Sequence, residues 1–460
     1  MNCDRTTPGS PSIENPSDSV LADRDGPTSD RHPSETPNAT GVSTLRVLII
    51  AESANPEMTS VPLEGWSHAE ALSRVVRTHL VTQVRNRAAI LRRNWREGVD
   101  FTAIDSERVA APASQIANRL PGGWTTKMAI AALAYRYFEN LVWRRFESEL
   151  KAEKWDIVHR LTPLSPTVPS IIGKRLARLG VPFVIGPLNG GVPWPKEFDA
   201  ARRAEREWLS YVRDAYKLVP GYRSTRKYAT AIICGSKATL EQMPLWCRNK
   251  CHYIPENAID PKRFSRRVEG PVRSPLRIAF VGRLVPYKCP DLLLEAAAPL
   301  VRDGRAELDI IGDGPLMPKL KSMVADLGIA EGVRLDGWVQ HEQLQDRLVQ
   351  SDVFAFPSIR EFGGAVVLEA MATGLVPIVV DYGGPGELVD GHSGFKLPLR
   401  DRSTMTDCLR RMLQQLVSDP YQIRRIGECA AARAHTLFSW DAKAAAVARL
   451  YAQLVCGHSR

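Results

Sequence analysis

The sequence predicts an α/β protein made of two doubly wound parallel-sheet domains that face each other across a cleft. Two series of short apolar runs, each alternating with helix-like segments, lead to this prediction. The strand-like runs are residues 45–50, 80–84, 156–161, 182–185 and 231–234 in the first series and 277–282, 308–311, 333–335, 353–356 and 376–380 in the second. Such runs are typical of parallel strands buried on both faces. Because ligands in these sheets bind beyond the carboxyl ends of the strands, we expect the site in the cleft.

Length and local composition predict how the chain is divided. A chain of 460 residues exceeds one ordinary core and favours two domains. The N-terminal stretch is rich in Ser, Pro, Thr, Asp and Gly and has too few large apolar residues to offset the entropy of ordering it. The predicted segments are a disordered tail at 1–44, a first domain at 45–262, a linker at 263–276, a second domain at 277–436 and a C-terminal helix within 437–460, with Ser439 as its N-cap.

Bulk composition narrows the class of protein. Hydrophobic residues make up 44% of the chain and charged residues 24%, which is ordinary for a soluble globular protein. No apolar run is long enough to cross a bilayer, no secretory signal is evident, and the eight cysteines lack zinc spacing. These features predict a cytoplasmic protein with reduced thiols. The net charge of +10 favours an anionic partner (nucleic acid, anionic lipid or a phosphate-bearing substrate), with a solvated basic surface as the alternative.

Two cations follow the first strand of the second series. Arg283 and Lys288 lie between the strand end at Gly282 and a helix predicted to begin at Pro290. Guanidinium and ammonium groups at the carboxyl edge of a parallel sheet can bind a diphosphate. Taken alone, the segment is also typical of a solvated basic loop.

Two glutamates flank a predicted helix start. After the strand-like run that ends at Phe356, Gly363 and Gly364 allow a tight turn, so that Glu361 lies on the loop and Glu369 inside the helix. The free N–H groups at a helix start bind phosphate, and carboxylates accept hydrogen bonds from hydroxyl groups. The alternative is a pair of solvated or capping glutamates.

Glycine-rich turns follow two further strand-like runs, at residues 311–315 and 381–387. Such turns let a ligand approach the backbone closely. Each of them, taken by itself, is also consistent with an ordinary turn.

Taken in their order along the chain, the four segments resemble the C-terminal domain of family-4 retaining glycosyltransferases, whose GT-B fold consists of two Rossmann-like domains. The glutamates match that family's Glu-x7-Glu motif, and two other segments match its Gly-Arg-Leu…Lys and Gly-x-Gly-Pro patterns. The resemblance is close over residues 277–450 and loose over 45–260. It implies catalytic roles for Arg283, Lys288 and Glu361. It implies donor binding by Gly282, Gly312, Gly314, Phe362, Gly363, Gly364, Ala365 and Glu369.

The resemblance also implies the substrates. It indicates a UDP- or GDP-sugar donor, retention of the anomeric configuration, a glycan or lipid-linked acceptor, and no metal or other cofactor. Arg283 and Lys288 are then expected to neutralise the departing diphosphate, Glu361 to hold the donor sugar and Glu369 the ribose. The C-terminal helix is expected to cross back onto the first domain. No nucleic-acid-binding motif is present, so we expect no nucleic-acid partner.

Three residues of the first domain are candidates for the acceptor side. Gly65 is the remaining glycine in the region where the family often has a Gly-Gly loop, and His159 matches the first histidine of a His-x-His-type segment. Asn189 lies in a loop with Gly-Pro and Gly-Gly pairs. A histidine satisfied at a strand end is the alternative for His159, and a plain turn is the alternative for Asn189.

Aromatic and cationic residues are interleaved over residues 124–150. On a helix this pattern suits the interface of an anionic membrane and predicts a peripheral position on the cytoplasmic membrane face. The alternative is a long helix that packs its aromatic residues inside the first domain.

Two other functions stay open at this point. A sugar-nucleotide epimerase can be built on the same fold, although we find no additional acid and base residues for it. A non-catalytic module that binds a sugar nucleotide needs only the donor segments.

Overall fold

The computed structural model describes residues 43–119, 124–199, 217 and 220–458. The tail predicted at 1–44 lies outside this range except for Ser43 and Thr44, which form a turn before the first strand. Within the described residues the strands form two parallel sheets, of seven and six strands. The predicted fold class, two doubly wound α/β domains, is therefore confirmed.

The first sheet has the strand order β3-β2-β1-β4-β5-β6-β7. Its strands are β1 (Arg46–Ala51), β2 (Arg77–Gln83), β3 (Phe101–Ile104), β4 (Ile157–Thr162), β5 (Phe183–Leu188), β6 (Ala231–Cys234) and β7 (Cys251–Tyr253). The accompanying α-helices are α1 (Val61–Ser73), α2 (Arg87–Leu91), α3 (Glu107–Arg119), α4 (Trp124–Lys151), α5 (Ile172–Arg178), α6 (Tyr222–Tyr228) and α7 (Lys237–Gln242).

The second sheet has the order β10-β9-β8-β11-β12-β13. Its strands are β8 (Leu276–Val281), β9 (Ala306–Ile311), β10 (Val333–Gly337), β11 (Val353–Phe356), β12 (Val376–Val380) and β13 (Phe395–Leu397). Its helices are α8 (Pro290–Arg302), α9 (Met317–Asp326), α10 (Leu344–Leu348), α11 (Ala365–Ala372), α12 (Gly383–Leu388), α13 (Arg402–Ser418) and α14 (Tyr421–Leu437), and α15 (Trp440–His458) ends the described chain. Strand β8 begins one residue inside the predicted linker at 263–276.

Strand β1 shows why the apolar runs become central strands. Val47 and Ile49 belong to the hydrophobic core on one face of the first sheet, whereas Leu48 and Ile50 belong to the core on the other. All four side chains are 0% exposed. Because successive side chains of a strand point to opposite faces, a strand covered on both sides has to be apolar throughout.

Both sheets reverse their strand order beside their first strand. The reversal lies between β1 and β4 in the first sheet and between β8 and β11 in the second. The connections that leave two such neighbours run to opposite faces of the sheet, which opens a crevice at the carboxyl ends of the strands. In the second sheet that crevice lies between the loop after β8 and the loop after β11.

Three strands were not predicted from the sequence. These strands, β3, β7 and β13, have only three or four residues each and lie at edges of the two sheets. Edge strands of this length carry too few residues for a periodic pattern. They form because a longer neighbouring strand supplies backbone partners, which is a tertiary effect.

Helix α4 packs its aromatic residues inside the first domain. Tyr135, Phe138 and Phe146 are at most 2% exposed and belong to the core beside the first sheet. These rings therefore follow the packing alternative, while the side chains of residues 124–131 lie outside the described ones. Among the described residues, no helix combines the length and apolar character needed to cross a bilayer.

Helix α15 packs onto the first domain. Ala444, Val447 and Tyr451 belong to the same hydrophobic cluster as β1. The Ala442 N–H donates to Ser439 Oγ at 3.2 Å, which is the N-cap expected from the sequence. The last described helix is thus part of the hydrophobic core of the N-terminal domain.

Candidate active site

The loop after β8 is braced by the loop after β9. Gly312 has a φ of +141°, and a Cβ at this position would overlap the carbonyl oxygen of Gly282. A Cβ at Gly314 would likewise overlap the backbone of Leu284. Only glycine lets two backbones lie this close, so these residues fix the path of the loop that carries Arg283.

Lys288 and Glu361 meet at the switch point of the second sheet. Lys288 Nζ lies 3.1 Å from Glu361 Oε2 and 5.2 Å from the centroid of the Phe356 ring. The two charged side chains are only 15% and 24% exposed, so their attraction is less screened than that of a surface pair. Arg283 is exposed, and its side chain forms no hydrogen bond or ion pair with another described residue. A paired cation and an unpaired one therefore share this edge of the sheet.

The loop before α11 is shaped by glycines on both sides. Gly364 precedes the first helical residue, Ala365, with a left-handed φ of +66°. Gly384 lies in the first turn of α12, and its N–H donates to the carbonyl oxygen of Glu361 at 3.1 Å. A Cβ at Gly384 would overlap the carbonyl oxygen of Phe362. The glycine-rich turn at 381–387 thus supports the loop that carries Glu361.

Glu369 lies inside α11 and is 9% exposed. Its Oε1 lies 2.8 Å from Nε2 of His341, which follows β10. Sequence reasoning did not find His341, because a single histidine in a polar loop has no spacing that marks it. The contact brings the loop after β10 to the site.

Asn189 lies half-buried after β5, on the cleft side of the first sheet. Its N–H donates to the carbonyl oxygen of Leu164 at 2.7 Å, and its Oδ1 accepts a hydrogen bond from the Gly191 N–H at 3.0 Å. The Asn189 side chain therefore holds its own loop in shape.

The loop that continues from Asn189 reaches the second domain. Arg360 Nε donates to the carbonyl oxygen of Val192 at 3.0 Å, and the Tyr382 hydroxyl donates to that of Pro193 at 2.9 Å. The Arg360 guanidinium also lies 4.9 Å from the ring centroid of Trp194. The loop after β5 therefore contacts the segments that precede α11 and α12.

Gly65 lies in helix α1. A Cβ at Gly65 would overlap the carbonyl oxygen of Ser53, on the loop after β1. The residue is buried and allows α1 to pack closely against that loop. Gly65 is thus a close-approach residue for the protein's own backbone.

His159 is enclosed in β4, with 0% exposure. Its Nε2 lies 2.7 Å from the carbonyl oxygen of Gly186, and its Nδ1 lies 2.5 Å from the Tyr451 hydroxyl. Because a carbonyl only accepts, Nε2 carries the proton and Nδ1 accepts from the hydroxyl. Burial lowers the pKa of His159 to about 3. His159 therefore has both nitrogens satisfied and no surface for an acceptor, as the alternative for this residue describes.

Glu256 is a cleft residue that sequence reasoning missed. It follows β7 and is 9% exposed. The Lys443 ammonium donates to its backbone carbonyl oxygen and, at 2.7 Å, to Glu64 Oε1. The next residue, Asn257, packs against Gly363. No spacing in the sequence marks Glu256, because the residues around it, Glu64, Gly363 and Lys443, come from three distant parts of the chain.

Two doubly wound domains, with a basic loop and two carboxylates at the switch point of the second, define the GT-B class of glycosyltransferases. The family model described as "Glycosyl transferases group 1" matches residues 275–415. A galactosyltransferase of Escherichia coli, UDP-Gal:alpha-D-GlcNAc-diphosphoundecaprenol alpha-1,3-galactosyltransferase, is 30% identical over 290 residues, which cover 58% of this chain and 69% of the relative. The chain therefore belongs to the group 1 family of glycosyltransferases.

A further relative matches over a shorter region. D-inositol 3-phosphate glycosyltransferase of Streptomyces bingchenggensis is 34% identical over 192 residues, which cover 39% of this chain and 41% of that protein. The chain thus spans less than half the length of this relative.

Solved structures share the fold across both domains. Sucrose-phosphate synthase from Thermosynechococcus elongatus aligns with a TM-score of 0.58 and 17% identity, over 90% of this chain and 100% of that one. HepE from Anabaena, solved in complex with UDP and glucose, aligns with a TM-score of 0.53 and 15% identity, over 89% of this chain and 100% of that one. These likenesses support the GT-B architecture.

Proposed function

We propose that this glycosyltransferase is a retaining enzyme that transfers a sugar from a nucleotide-diphosphate sugar to a glycan or lipid-linked acceptor. The observation that carries the proposal is the Lys288–Glu361 pair at the switch point of the second sheet, with Nζ and Oε2 3.1 Å apart. An ammonium, a carboxylate and an exposed guanidinium within one crevice suit a ligand that joins a diphosphate to a hydroxyl-rich sugar.

Different segments of this crevice bind different parts of the donor. Arg283 and Lys288 neutralise the diphosphate, and the N-terminus of α11 supplies further N–H groups. Glu361 and the loop through Phe362 to Ala365 hold the sugar. Glu369 accepts hydrogen bonds from the ribose hydroxyls. These bonds replace its contact with His341 when the donor binds.

The reaction relies on stabilising the departing diphosphate. Negative charge develops on the phosphate as the bond to the sugar breaks, and cations already in position stabilise it without reorganising. The leaving phosphate then accepts the proton of the attacking hydroxyl on the same face, which accounts for retention. His159 is enclosed, so this mechanism assigns it no proton transfer. No metal or other cofactor takes part.

The acceptor is proposed from the cleft and from one relative. The Escherichia coli relative is named for a sugar carried on diphosphoundecaprenol, and we extend a lipid-linked acceptor to this chain. Asn189 lies on the cleft side of the first domain and is the proposed acceptor contact. The proposed division is an acceptor domain at 45–262, a donor domain at 277–436 and a C-terminal helix that ties them together.

A donor panel tests the proposal. Purified protein is incubated with UDP- and GDP-sugars and a membrane extract, with and without EDTA, and sugar incorporation and free nucleoside diphosphate are measured. We expect incorporation matched by nucleotide release, unchanged by EDTA, and a product with the donor's anomeric configuration by NMR. An inverted product contradicts retention. Epimerised donor without transfer supports an epimerase, and binding without turnover supports a binding module.

A further inference from the structure

One carboxyl oxygen beside the donor crevice, Oε2 of Glu256, lacks a hydrogen-bond partner among the described residues. Glu256 is 9% exposed. Its backbone N–H donates to the carbonyl oxygen of Gly235 at 3.0 Å, which anchors the residue at the carboxyl edge of the first sheet. The nearby ammonium of Lys443 is directed to Glu64 and to the backbone of Glu256, so the Glu256 carboxyl gains no direct ion pair from it.

The position of Glu256 faces the donor loops. Burial and, to a smaller extent, the charge of Glu361, the partner of Lys288, raise the pKa of Glu256, so the two carboxyl groups lie near each other. The neighbouring Asn257 packs so closely against Gly363 that a Cβ there would overlap its side-chain amide. Glu256 thus lies where the first domain meets the loop before α11.

The groups around Glu256 favour its neutral form. Two carboxylates face it, Glu64 from α1 and Glu361 from the loop before α11, against one ammonium, that of Lys443 from α15. The Asn189 side chain, on the loop after β5, is hydrogen-bonded to the Glu256 carboxyl group and offsets part of the effect. Burial, followed by the charge of Glu64, raises the pKa of Glu256 to about 8. The carboxyl group therefore carries a proton at neutral pH and can donate it in a hydrogen bond.

We propose that Glu256 binds the diphosphate of the sugar nucleotide by donating a hydrogen bond from Oε2, the carboxyl oxygen that has no partner among the described residues. The inference rests on the proposed function for the identity of the ligand. Phosphate oxygens are the strongest acceptors that such a substrate offers, and a hydrogen bond to a charged acceptor is stronger than a neutral one. An ionised carboxylate in the same place would repel the diphosphate. Glu256 would thus be a contact of the first domain with the donor.

Nucleotide binding tests the inference without requiring transfer. Calorimetry with UDP and with GDP is carried out on the full chain at pH 7, 8 and 9, for the wild type, Glu256→Gln, Glu256→Ala and the exposed control Glu241→Ala. At pH 7 we expect Glu256→Gln to bind within about threefold of the wild type, because an amide also donates, and Glu256→Ala to bind at least about tenfold more weakly. The control should match the wild type.

The pH profile separates a bound proton donor from a merely structural carboxyl. Wild-type affinity should fall between pH 7 and 9 as Glu256 ionises, whereas Glu256→Gln should lose that part of the pH dependence. Glutamine binding as weakly as alanine, or alanine binding as tightly as the wild type, overturns the inference. If melting curves show that Glu256→Ala does not fold, the glutamine variant and the wild-type profile decide the question.

The outcomes also distinguish the inference from the proposed function. Nucleotide binding with the predicted Glu256 dependence, but without sugar transfer in the donor panel, contradicts the transferase proposal alone. Transfer by a protein whose Glu256 variants all bind normally contradicts the inference alone. Failure of the wild type to bind either nucleotide overturns both.

Discussion

Lys288 has two partners that the chain brings to it from the neighbouring strand and its loop. Phe356 ends β11, and Glu361 lies on the loop that follows. The ring face and the carboxylate both favour a cation at this point, so Lys288 is held with only 15% of its side chain exposed. Arg283 has no such partner among the described residues, and its guanidinium stays accessible to an anionic ligand.

The first prediction concerns two residues of the proposed donor site. Lys288→Ala and Glu369→Ala should each lower kcat/KM, or donor affinity, at least tenfold (about 1.4 kcal/mol), because each removes a contact that we propose to the donor. The exposed Lys321 on α9 offers a matched control, and Lys321→Ala should leave both quantities unchanged. Kinetics unchanged in both donor-site variants would remove the site assignment.

The second prediction concerns the neutral His159. Its pKa is about 3 in the folded chain, well below the ordinary value of 6.5, so only the unfolded chain takes up its proton as the pH falls below 6.5. Stability is therefore lost between pH 6.5 and 3, and His159 accounts for about 2 kcal/mol between pH 7 and 5. Urea unfolding should be measured at these two pH values. Between pH 7 and 5 the free energy of unfolding should decrease by about 2 kcal/mol less in His159→Gln than in the wild type. Equal losses would contradict the assigned pKa.

At the scale of elements, the glycine turns determine how the loops stack. The prediction compares two glycines with positive φ. Gly312→Ala places a Cβ against the carbonyl oxygen of Gly282, whereas Gly304, at φ +65°, has nothing within 4 Å of a new Cβ. We expect Gly312→Ala to destabilise the protein by roughly 2–4 kcal/mol and to lower activity at least about tenfold. Gly304→Ala should lower stability by about 1 kcal/mol and leave activity intact. Similar losses of activity in both would contradict the bracing role.

The sequence predicts the central elements better than the edges. Strands β6, β11 and β12 have the predicted bounds, because their apolar runs are buried on both faces and end sharply. The N-terminus of α8 at Pro290 follows from the fixed φ of proline. Strands β3 and β7 are short edge strands, and their formation depends on the neighbouring strand rather than on their own sequence.

At the scale of the whole molecule, a buried ion pair joins the C-terminal helix α15 to helix α1 of the first domain. Lys443 on α15 and Glu64 on α1 lie 2.7 Å apart, and their side chains are 3% and 9% exposed. Truncating one partner of such a pair leaves the other charge buried and unpaired. The packing of α15 on the first domain therefore depends on both.

The corresponding prediction uses a double-variant cycle. Lys443→Met should lower the free energy of unfolding by about 3–5 kcal/mol, because Glu64 stays buried without its ammonium partner. The loss should shrink as the pH falls, since burial raises the pKa of Glu64 and a protonated carboxyl needs no cation. Adding Glu64→Met should recover most of the stability. A double variant as unstable as Lys443→Met would show that the ion pair is not the source. The measurement is chemical unfolding of all three variants.

The loop after β5 links the two domains on the other side of the cleft. Its carbonyl groups at Val192 and Pro193 accept hydrogen bonds from Arg360 and Tyr382. The backbone N–H of Lys237, at the start of α7, donates to both carboxylate oxygens of Glu387 on α12, at 2.9 and 3.0 Å. No periodic pattern predicts such contacts, because each one joins distant loops through a carbonyl group or a side-chain tip.

The sequence by itself determined the α/β class and the two series of strands, and it marked the segments from Gly282 to Glu369 that we propose bind the donor. These follow from local patterns, since apolar runs, helix caps and glycine turns act over a few residues. Tertiary structure decided the partners of those segments. It paired Lys288 with Glu361 and Glu369 with His341, enclosed His159 behind Tyr451, and placed Glu256 beside the donor loops. Pairing, burial and pKa depend on which distant residues share a small volume, and only the folded chain fixes that.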